Sequence, residues 1–187
     1  MLDDIKLIHV RDANGALETA ENNWQTTEWS AIVPTSKNLA KQIALEVIGK
    51  TPIIYAGESL KEAAQNWKTG FNQQAKHLAW IGELTDTELT SWTKQPVHKP
   101  FTVIDLRSSL DSKEIQQRFE TAERLLSGLR PAPIIVQAIG DDAESQQGWT
   151  TALGSFVAIY TAILNGVNPS STAFADKLQQ HLEEPHE

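Results

Sequence analysis

The sequence predicts an α/β fold built on a mainly parallel sheet. Three observations predict it. Short apolar runs end in glycine or polar residues, amphipathic stretches with helical spacing separate these runs, and no internal repeat or low-complexity segment interrupts them. Strands that alternate with helices form βαβ units with right-handed crossovers, which make the strands parallel.

Four apolar runs predict the strands of this sheet. Each is five or six residues long and nearly continuous in apolar character, as expected of strands buried on both faces. Trp80 is accordingly expected in the core. The predicted strands are residues 52–57, 77–81, 101–106 and 133–138.

Amphipathic stretches between and beside these runs predict the helices, with apolar residues on one face and polar residues on the other. Gly49, Gly128 and Gly166 follow three of them, where glycine commonly ends a helix. The predicted helices are residues 3–24, 37–48, 59–71, 87–92, 112–127, 145–164 and 171–182.

Hydroxyl side chains at two helix starts are expected to serve as N-caps, because their oxygen accepts a hydrogen bond from a free backbone N–H. Thr35 or Ser36 is expected to cap the second helix, and Thr87 the fourth. The chain then divides into an N-terminal helix with a connector over 1–34, one domain over 35–182 and a polar tail over 183–187.

The composition excludes several classes of protein. The chain has 187 residues, no cysteine and a net charge of −8, so disulfides and cysteine-based zinc sites are excluded. No basic stripe indicates a nucleic-acid partner. No apolar run approaches the ~20 residues that span a bilayer, and the acidic N-terminus does not resemble a secretory signal. We expect a cytoplasmic protein.

Ligands of parallel sheets bind at the carboxyl ends of the strands, and two turns there are candidate anion sites. After the first strand, Gly57, Glu58 and Ser59 begin a helix whose free N–H groups suit an anion. The alternative is an ordinary turn capped by Ser59. After the third strand, Arg107 and Ser108 suit a phosphate or sugar hydroxyl; the alternative is a capped surface turn.

Two further groups of polar residues carry weaker signals. Glu83, Asp86 and Glu88 follow the second strand, either as a carboxylate pair for acid–base chemistry or as a solvated helix start. The five histidines lack the spacing of metal ligands, so neither a metal nor another cofactor is expected.

Several segments resemble one family in the same order along the chain. Residues 66–76 (NWKTGFNQQAK) resemble W-K-x-x-x-N-E-N-A-K, and residues 83–92 (ELTDTELTSW) resemble E-x-N-H-N-E-x-x-G-W. Residues 33–42, 53–57 and 153–169 add further similarity. The family is the bacterial bifunctional phosphoglucose/phosphomannose isomerases, and the resemblance covers residues 29–182, the C-terminal sugar isomerase (SIS) domain.

This resemblance implies a three-layer αβα SIS fold and a link to hexose 6-phosphates. In that family a glutamate moves the proton between C1 and C2, a histidine helps to open the ring and a late lysine assists at the ring oxygen. Here Gln73 stands at the glutamate position, Asp86 at the histidine position and Gln179 at the lysine position, with Lys177 two residues away. An amide cannot accept a proton near neutral pH.

The same resemblance supplies candidate binding residues, namely Lys68, Asn72 and Lys76, beside Ser59, Arg107 and Ser108 at the strand ends. It also implies that the glycine-rich first SIS domain of the family is missing. We therefore expect a catalytically degenerate domain that binds a hexose 6-phosphate or a partner chain.

Two alternatives remain open. The chain is an active aldose–ketose isomerase when it forms a homodimer or pairs with a chain bearing the first domain, with Glu88, His77 or His98 as acid or base. Otherwise it is an interaction protein that has kept only the fold.

Overall fold

The structure is a computed structural model that describes residues 13–94 and 100–183. The predicted helical residues 3–12 and the candidate His98 lie outside the described residues. Seven α-helices and four strands follow one another in the described part of the chain. They are α1 Ala13–Trp24, α2 Leu39–Val47, β1 Thr51–Ala56, α3 Lys61–Gln73, β2 Trp80–Gly82, α4 Asp86–Ser91, β3 Phe101–Arg107, α5 Lys113–Leu125, β4 Ile134–Gln137, α6 Ala143–Leu164 and α7 Ala173–Glu183.

The four strands form one parallel sheet in the order β2-β1-β3-β4, so the predicted α/β fold with a parallel sheet is confirmed. Tyr55 in β1 lies beside Gly82 in β2 and Asp105 in β3. Asp105 in turn lies beside Ile135 in β4. The first strand, β1, lies inside the sheet. Strand β2 lies on one side of it, and β3 and β4 lie on the other.

Helices cover both faces of the sheet, which gives three layers. On one face α1, α2, α3 and α6 pack around the large core, which contains Ile54 and Ile104 of the central strands. On the other face α4 and α5 enclose a smaller core around Tyr55, Val103 and Phe119. The αβα arrangement expected from the family resemblance is therefore confirmed.

Helix α6 is the central helix of the larger layer, and it is buried along most of its length. Its start is a capping box, in which Asp142 and Ser145 bond each other's backbone N–H groups. Further along, Gly154 lies against the buried ring of Trp67, whose Nε1 donates to the carbonyl of Thr150 at 2.7 Å. Helix α6 thus fixes the position of α3, because the indole ring of Trp67 fits against α6 only at Gly154, which has no side chain.

The N-terminal helix and connector pack onto this layer. Leu17 and Ala20 of α1 are buried in the larger core. In the connector, the carbonyls of Ala31 and Val33 accept hydrogen bonds from the Nζ of Lys41 at 2.9 and 2.8 Å. The charged group of Lys41 is satisfied by backbone carbonyls, which attaches the connector to α2.

Two of the predicted caps are wrong. Asn38, and neither Thr35 nor Ser36, caps α2. Thr85, two residues before the predicted Thr87, caps α4. A 3-10 turn over Thr35–Lys37 places Thr35 and Ser36 too early to cap α2. Helix α4 begins at Asp86, so Thr87 already lies inside it.

Predictions near β1 and β2 also need correction. A 3-10 turn over Glu58–Leu60 precedes α3, and the Ser59 side chain does not cap the helix. Strand β2 is shorter than predicted, so His77 precedes it. Trp80, expected in the core, is 53% exposed, because β2 is an edge strand.

Candidate functional site

A large cleft lies where parallel sheets bind ligands, at the carboxyl ends of β1 and β2. Its volume is about 1150 Å³, large for a small-molecule site. The turn after β1 and the start of α3 form one wall, and the turn after β2 and one face of α5 form the others. The charged residues that line it are Glu58, Lys61, Glu62, Glu83, Asp86 and Arg118.

The charges of this cleft do not favour an anion. Its two cations already have acidic partners: Lys61 lies 3.9 Å from Glu58, and Arg118 lies 3.1 Å from Asp86. Arg118 also donates to the carbonyl of Leu84 at 3.2 Å. Because four carboxylates line the cleft with these two cations, a phosphate would enter a field of its own sign.

The turn after β1, a candidate anion site, is occupied by a carboxylate of the protein itself. The buried Asp111 accepts hydrogen bonds from the N–H of Ser59 and the N–H of Ser108, both at 3.3 Å. A Cβ at Gly57 would overlap this carboxylate, so glycine is needed for the approach. The geometry predicted for an anion at Ser59 exists, but an internal anion fills it.

The turn after β3 is closed in a similar way. Ser108 is buried, and its hydroxyl donates to Oε1 of Gln146 at 2.6 Å. The amide of Gln146 donates to Oγ of Ser109 at 2.8 Å and to the carbonyl of Gly140 at 2.9 Å. This network joins the carboxyl ends of β3 and β4 to α6, and it engages the hydroxyl of Ser108.

Arg107 turns away from the carboxyl edge of the sheet. Its Nη2 donates to Asp105 at 3.1 Å and to Glu123 at 2.9 Å, and its guanidinium lies over the ring of Phe119. Strand alternation explains this, since Asp105 and Arg107 point to the same face, towards α5. Arg107 therefore ties β3 to α5.

The pKa of the Asp105 carboxyl is raised, and this shift can be tested. It is fully buried, and this burial raises the pKa of its carboxyl, although Arg130 and Arg107 oppose the shift. A carboxyl whose pKa is raised in the folded state binds more protons there than in the unfolded chain. Its contribution therefore stabilises the fold at acid pH and is lost as pH rises through the folded pKa.

We expect the free energy of unfolding of wild type to fall, relative to Asp105→Asn, as pH rises from about 4 towards neutrality. Asn keeps the shape of the side chain but does not titrate. Urea unfolding of both proteins across this range measures the difference. A difference that stays constant with pH, or that grows in favour of wild type, contradicts the raised pKa.

The family-motif residues of α3 lie at the other end of that helix. Gln73 is exposed at its last turn. Asn72 accepts from the N–H of Ala79 at 3.0 Å, and the Nζ of Lys76 donates to the carbonyls of Gln73 and Ser171. Asn72 and Lys76 thus hold the turn between α3 and β2.

Lys76 has a further structural task. Its φ of 50° is left-handed, the conformation in which a helix commonly ends. Lys68, one helical turn before Asn72, is half-buried and makes no hydrogen bond or ion pair with any residue of the described ranges. Of the three binding residues predicted from the motif of residues 66–76, Lys68 is the one whose polar end is unengaged within the described ranges.

Asp86 and Glu88 lie at the carboxyl end of β2, as the predicted helix start. Both belong to the first turn of α4. Asp86 is exposed, and Glu88 folds back so that its Oε2 accepts from the N–H of Glu83 at 2.9 Å. The sheet and the length of α3, about 18 Å, separate this turn from Gln73.

The late lysine position lies on α7, which is exposed along its whole length. Gln179 donates to Glu183 one turn further on, at 3.1 Å, and Lys177 is exposed. The start of α7 lies near the end of α3, because the carbonyl of Ser171 accepts from Lys76. Within one chain, the described structure does not gather Gln73, Asp86 and Gln179 around a common pocket.

His77, a candidate acid or base, has both ring nitrogens engaged. Nε2 lies 2.6 Å from the carbonyl of Lys50, and Nδ1 lies 3.2 Å from the side-chain amide of Asn165. A carbonyl only accepts, so Nε2 is the donor of the ring. Among residues 13–94 and 100–183, no three metal-binding side chains lie together.

Two residues of these turns escaped sequence reasoning, Asp111 and Gln146. An aspartate five residues after a predicted strand was a detectable signal, but its partner Ser59 is 52 residues away. Gln146 stands in the first turns of a helix, where nothing marks a glutamine as buried.

The fold and its strand-end cleft define a parallel αβα sandwich of the doubly wound class. Over residues 36–182 the chain matches the family model described as the bacterial phospho-glucose isomerase C-terminal SIS domain. The chain belongs to this family of SIS domains. No helix in the described ranges is long and apolar enough to cross a membrane.

Full-length relatives of the chain are bifunctional phosphoglucose/phosphomannose isomerases. The protein from Caldicellulosiruptor bescii is 28% identical over 158 residues, which are 81% of this chain and 46% of that protein. The one from Aquifex aeolicus is 20% identical over 149 residues, 78% of this chain and 47% of that protein. The chain thus spans about half the length of these relatives.

A solved structure shows the same fold. It is a glucose-6-phosphate isomerase like protein from Thermus thermophilus, with a TM-score of 0.67 and 20% identity. The similarity covers 89% of this chain and 55% of that one. At 20% identity this similarity shows the fold alone.

Proposed function

We propose that the chain is a catalytically degenerate SIS domain that serves as a hexose-phosphate-binding or partner module. The observation that carries the proposal is the separation of the family-equivalent positions. Gln73 lies at the end of α3, whereas Asp86 lies beyond the carboxyl end of β2, near the start of that helix.

The residue types at these positions support the same proposal. A carboxamide cannot remove a proton from C1 or C2 of a sugar, and the loss of a general base typically lowers a rate by ~10²–10⁴-fold. Asp86 is an anion paired with Arg118 at 3.1 Å, so it does not replace an imidazole. Restoring the base alone would leave the second group at the wrong end of the helix.

Lys68 supports the binding half of the proposal. It is the α3 candidate whose ammonium is not engaged with the described residues, whereas Lys76 and Asn72 hold backbone groups. A phosphate near the exposed end of α3 would gain the charge of Lys68. The acidic cleft at the other end of α3 offers no comparable group, because Lys61 and Arg118 are paired there.

A thermal-shift titration combined with an isomerase assay tests this function. We expect no turnover of glucose, mannose or fructose 6-phosphate by wild type or by Gln73→Glu. A bound hexose phosphate should raise the melting temperature of wild type by mass action, and Lys68→Gln should reduce that rise. Lys61→Gln is the matched control, because it removes a lysine of the same helix from the acidic cleft.

Turnover by the isolated wild-type chain that is lost in Gln73→Ala contradicts the proposed loss of catalysis. If no hexose phosphate changes the melting temperature, the chain does not bind these ligands, and only the proposed role as a partner module stands. If Lys61→Gln abolishes the thermal shift and Lys68→Gln preserves it, the hexose phosphate binds in the strand-end cleft and not near Lys68.

A second candidate is an isomerase that works only in an assembly. The observation that favours it is the similarity to relatives named as isomerases, of which the match covers 47% and 46%. A second chain could bring groups to Gln73 that its own chain keeps distant. The isomerase assay is then repeated with a chain that carries the half of a relative that this chain does not match. Activity that appears only in the mixture supports this candidate, and no activity in the mixture eliminates it.

A further inference from the structure

A group of buried charges lies on the face of the sheet that α5 covers, outside the strand-end cleft. Arg130, from the segment between α5 and β4, is only 8% exposed. Its guanidinium lies over the ring of Tyr55, 5.4 Å from the ring centroid. None of its three nitrogens makes a hydrogen bond within the part of the chain that the structure describes. Since buried polar groups nearly always have a partner, these N–H groups have the capacity to bind a further acceptor.

Asp105 carries such an acceptor. Its carboxyl is fully buried, and its Oδ2 accepts from Arg107 at 3.1 Å, whereas its Oδ1 makes no hydrogen bond within the described ranges. Asp105 in β3 is the direct neighbour of Tyr55 in β1, so both side chains point to the same face of the sheet. Burial raises the pKa of the Asp105 carboxyl, and the charge of Arg130 opposes this shift. The guanidinium therefore lies within electrostatic reach of the carboxyl.

The other charges around this carboxyl are already engaged. The charged groups that face Asp105 and Tyr55 from the surrounding elements are Arg107 of β3, Glu123 of α5, Glu88 of α4 and Arg130. The Nη2 of Arg107 donates to Glu123 at 2.9 Å as well as to Asp105. Glu88 accepts from a backbone N–H after β2 at 2.9 Å. Within the described ranges, Arg130 is the cation of this group whose N–H groups remain available.

We propose that Arg130 and Asp105 form a pH-sensitive switch inside the fold. While Asp105 is protonated, the guanidinium of Arg130 lies over the ring of Tyr55, in the position that the structure shows. When Asp105 loses its proton, the guanidinium turns towards Oδ1 and forms a buried ion pair with it.

The two positions of the guanidinium differ in what they compensate. A neutral Asp105 needs no counter-ion, and the π face of Tyr55 then attracts the cation. An ionised carboxyl inside a protein is costly unless it is paired and hydrogen-bonded, and Arg107 bonds only its Oδ2. A charge-assisted hydrogen bond is stronger than a neutral one. Ionisation of Asp105 therefore draws Arg130 from Tyr55 to Oδ1.

The switch acts on the wall of the strand-end cleft through Tyr55. The hydroxyl of Tyr55 accepts from the Nε1 of Trp92 at 2.8 Å. Gly82, which lines the cleft, lies so close to the ring of Tyr55 that a Cβ there would overlap it. Removal of the cation from this ring therefore changes the surroundings of Trp92 and of the turn after β2.

The indole N–H of Trp92 gives an NMR signal that reports the switch, and Trp92→Phe assigns it. In wild type we expect this signal to shift as pH rises from about 4 towards neutrality. Asp105→Asn should abolish the shift, because an amide does not titrate. Arg130→Met should move the midpoint of the shift upward by about one pH unit or more, because it removes a charge that favours the ionised carboxyl.

Two further variants separate the charge of Arg130 from its shape and from a general effect. Arg130→Lys keeps the charge, so the midpoint should stay nearer to that of wild type than in Arg130→Met. Arg118→Met removes the arginine that pairs with the exposed Asp86 at 3.1 Å, and it should leave the midpoint unchanged. Circular dichroism confirms that each variant folds.

Crystal structures of wild type on both sides of the midpoint test the movement itself, without any substitution. Above the midpoint we expect a hydrogen bond between the guanidinium of Arg130 and Oδ1 of Asp105. Below it, the guanidinium should lie over Tyr55.

Four results would overturn the switch. The Trp92 signal of wild type does not change with pH, or it titrates equally in Asp105→Asn. The midpoint in Arg130→Met equals that of wild type or lies below it. The guanidinium stays over Tyr55 on both sides of the midpoint. Each result is independent of whether the chain binds or isomerises a sugar phosphate.

Discussion

Gly154→Ala is expected to lower the free energy of unfolding by about 3 kcal/mol or more. A methyl group at this position would overlap the five-membered ring of Trp67, which is 1% exposed. The ring has no room to retreat, because its Nε1 is bonded to the carbonyl of Thr150 at 2.7 Å. The variant must either move α3 away from α6 or break this hydrogen bond.

Gly148→Ala is the control for this prediction. Gly148 lies in the same helix, and a methyl group there meets no atom within 4 Å. Alanine has the higher helix propensity, so this change should raise stability by up to about 1 kcal/mol. Thermal and urea unfolding measure both variants. If the two variants show equal stability, the packing of Trp67 against Gly154 is wrong.

Sequence patterns predicted those parts of the fold that depend on neighbouring residues. The alternation of apolar runs and amphipathic stretches specified four parallel strands and the helices between them. It did not specify the order β2-β1-β3-β4, and the exposure of Trp80 depends on this order. An apolar run such as that around Trp80 predicts burial on both faces, but an edge strand is covered by fewer neighbours.

The candidate site was less predictable, because each turn depends on a residue distant in sequence. Ser59 was singled out for its free N–H, and the structure gives that N–H to Asp111, 52 residues away. Ser108 was singled out for its hydroxyl, which donates to Gln146, 38 residues away. A turn sequence indicates which groups are available to bind, whereas the tertiary structure decides whether the protein itself engages them.

The second large effect is expected from Trp29→Ala, which should lower the free energy of unfolding by about 3–5 kcal/mol. Trp29 lies in the connector before α2 and is only 2% exposed. Its ring contacts Trp149 and Phe156 of α6 edge-on, with both centroid distances 5.6 Å, and its carbonyl accepts from the hydroxyl of Tyr160 at 2.7 Å. Truncation would leave a cavity between the connector and α6.

This result would show whether the connector unfolds together with the domain. Trp80→Ala is the matched control, because Trp80 is 53% exposed, and its loss should cost less than about 1 kcal/mol. Urea unfolding followed by circular dichroism compares the two. If Trp29→Ala costs no more than Trp80→Ala, the connector is an independent arm. If it costs several times more, α1 and the connector are part of the cooperative core, because α6 packs against them and against the sheet at once.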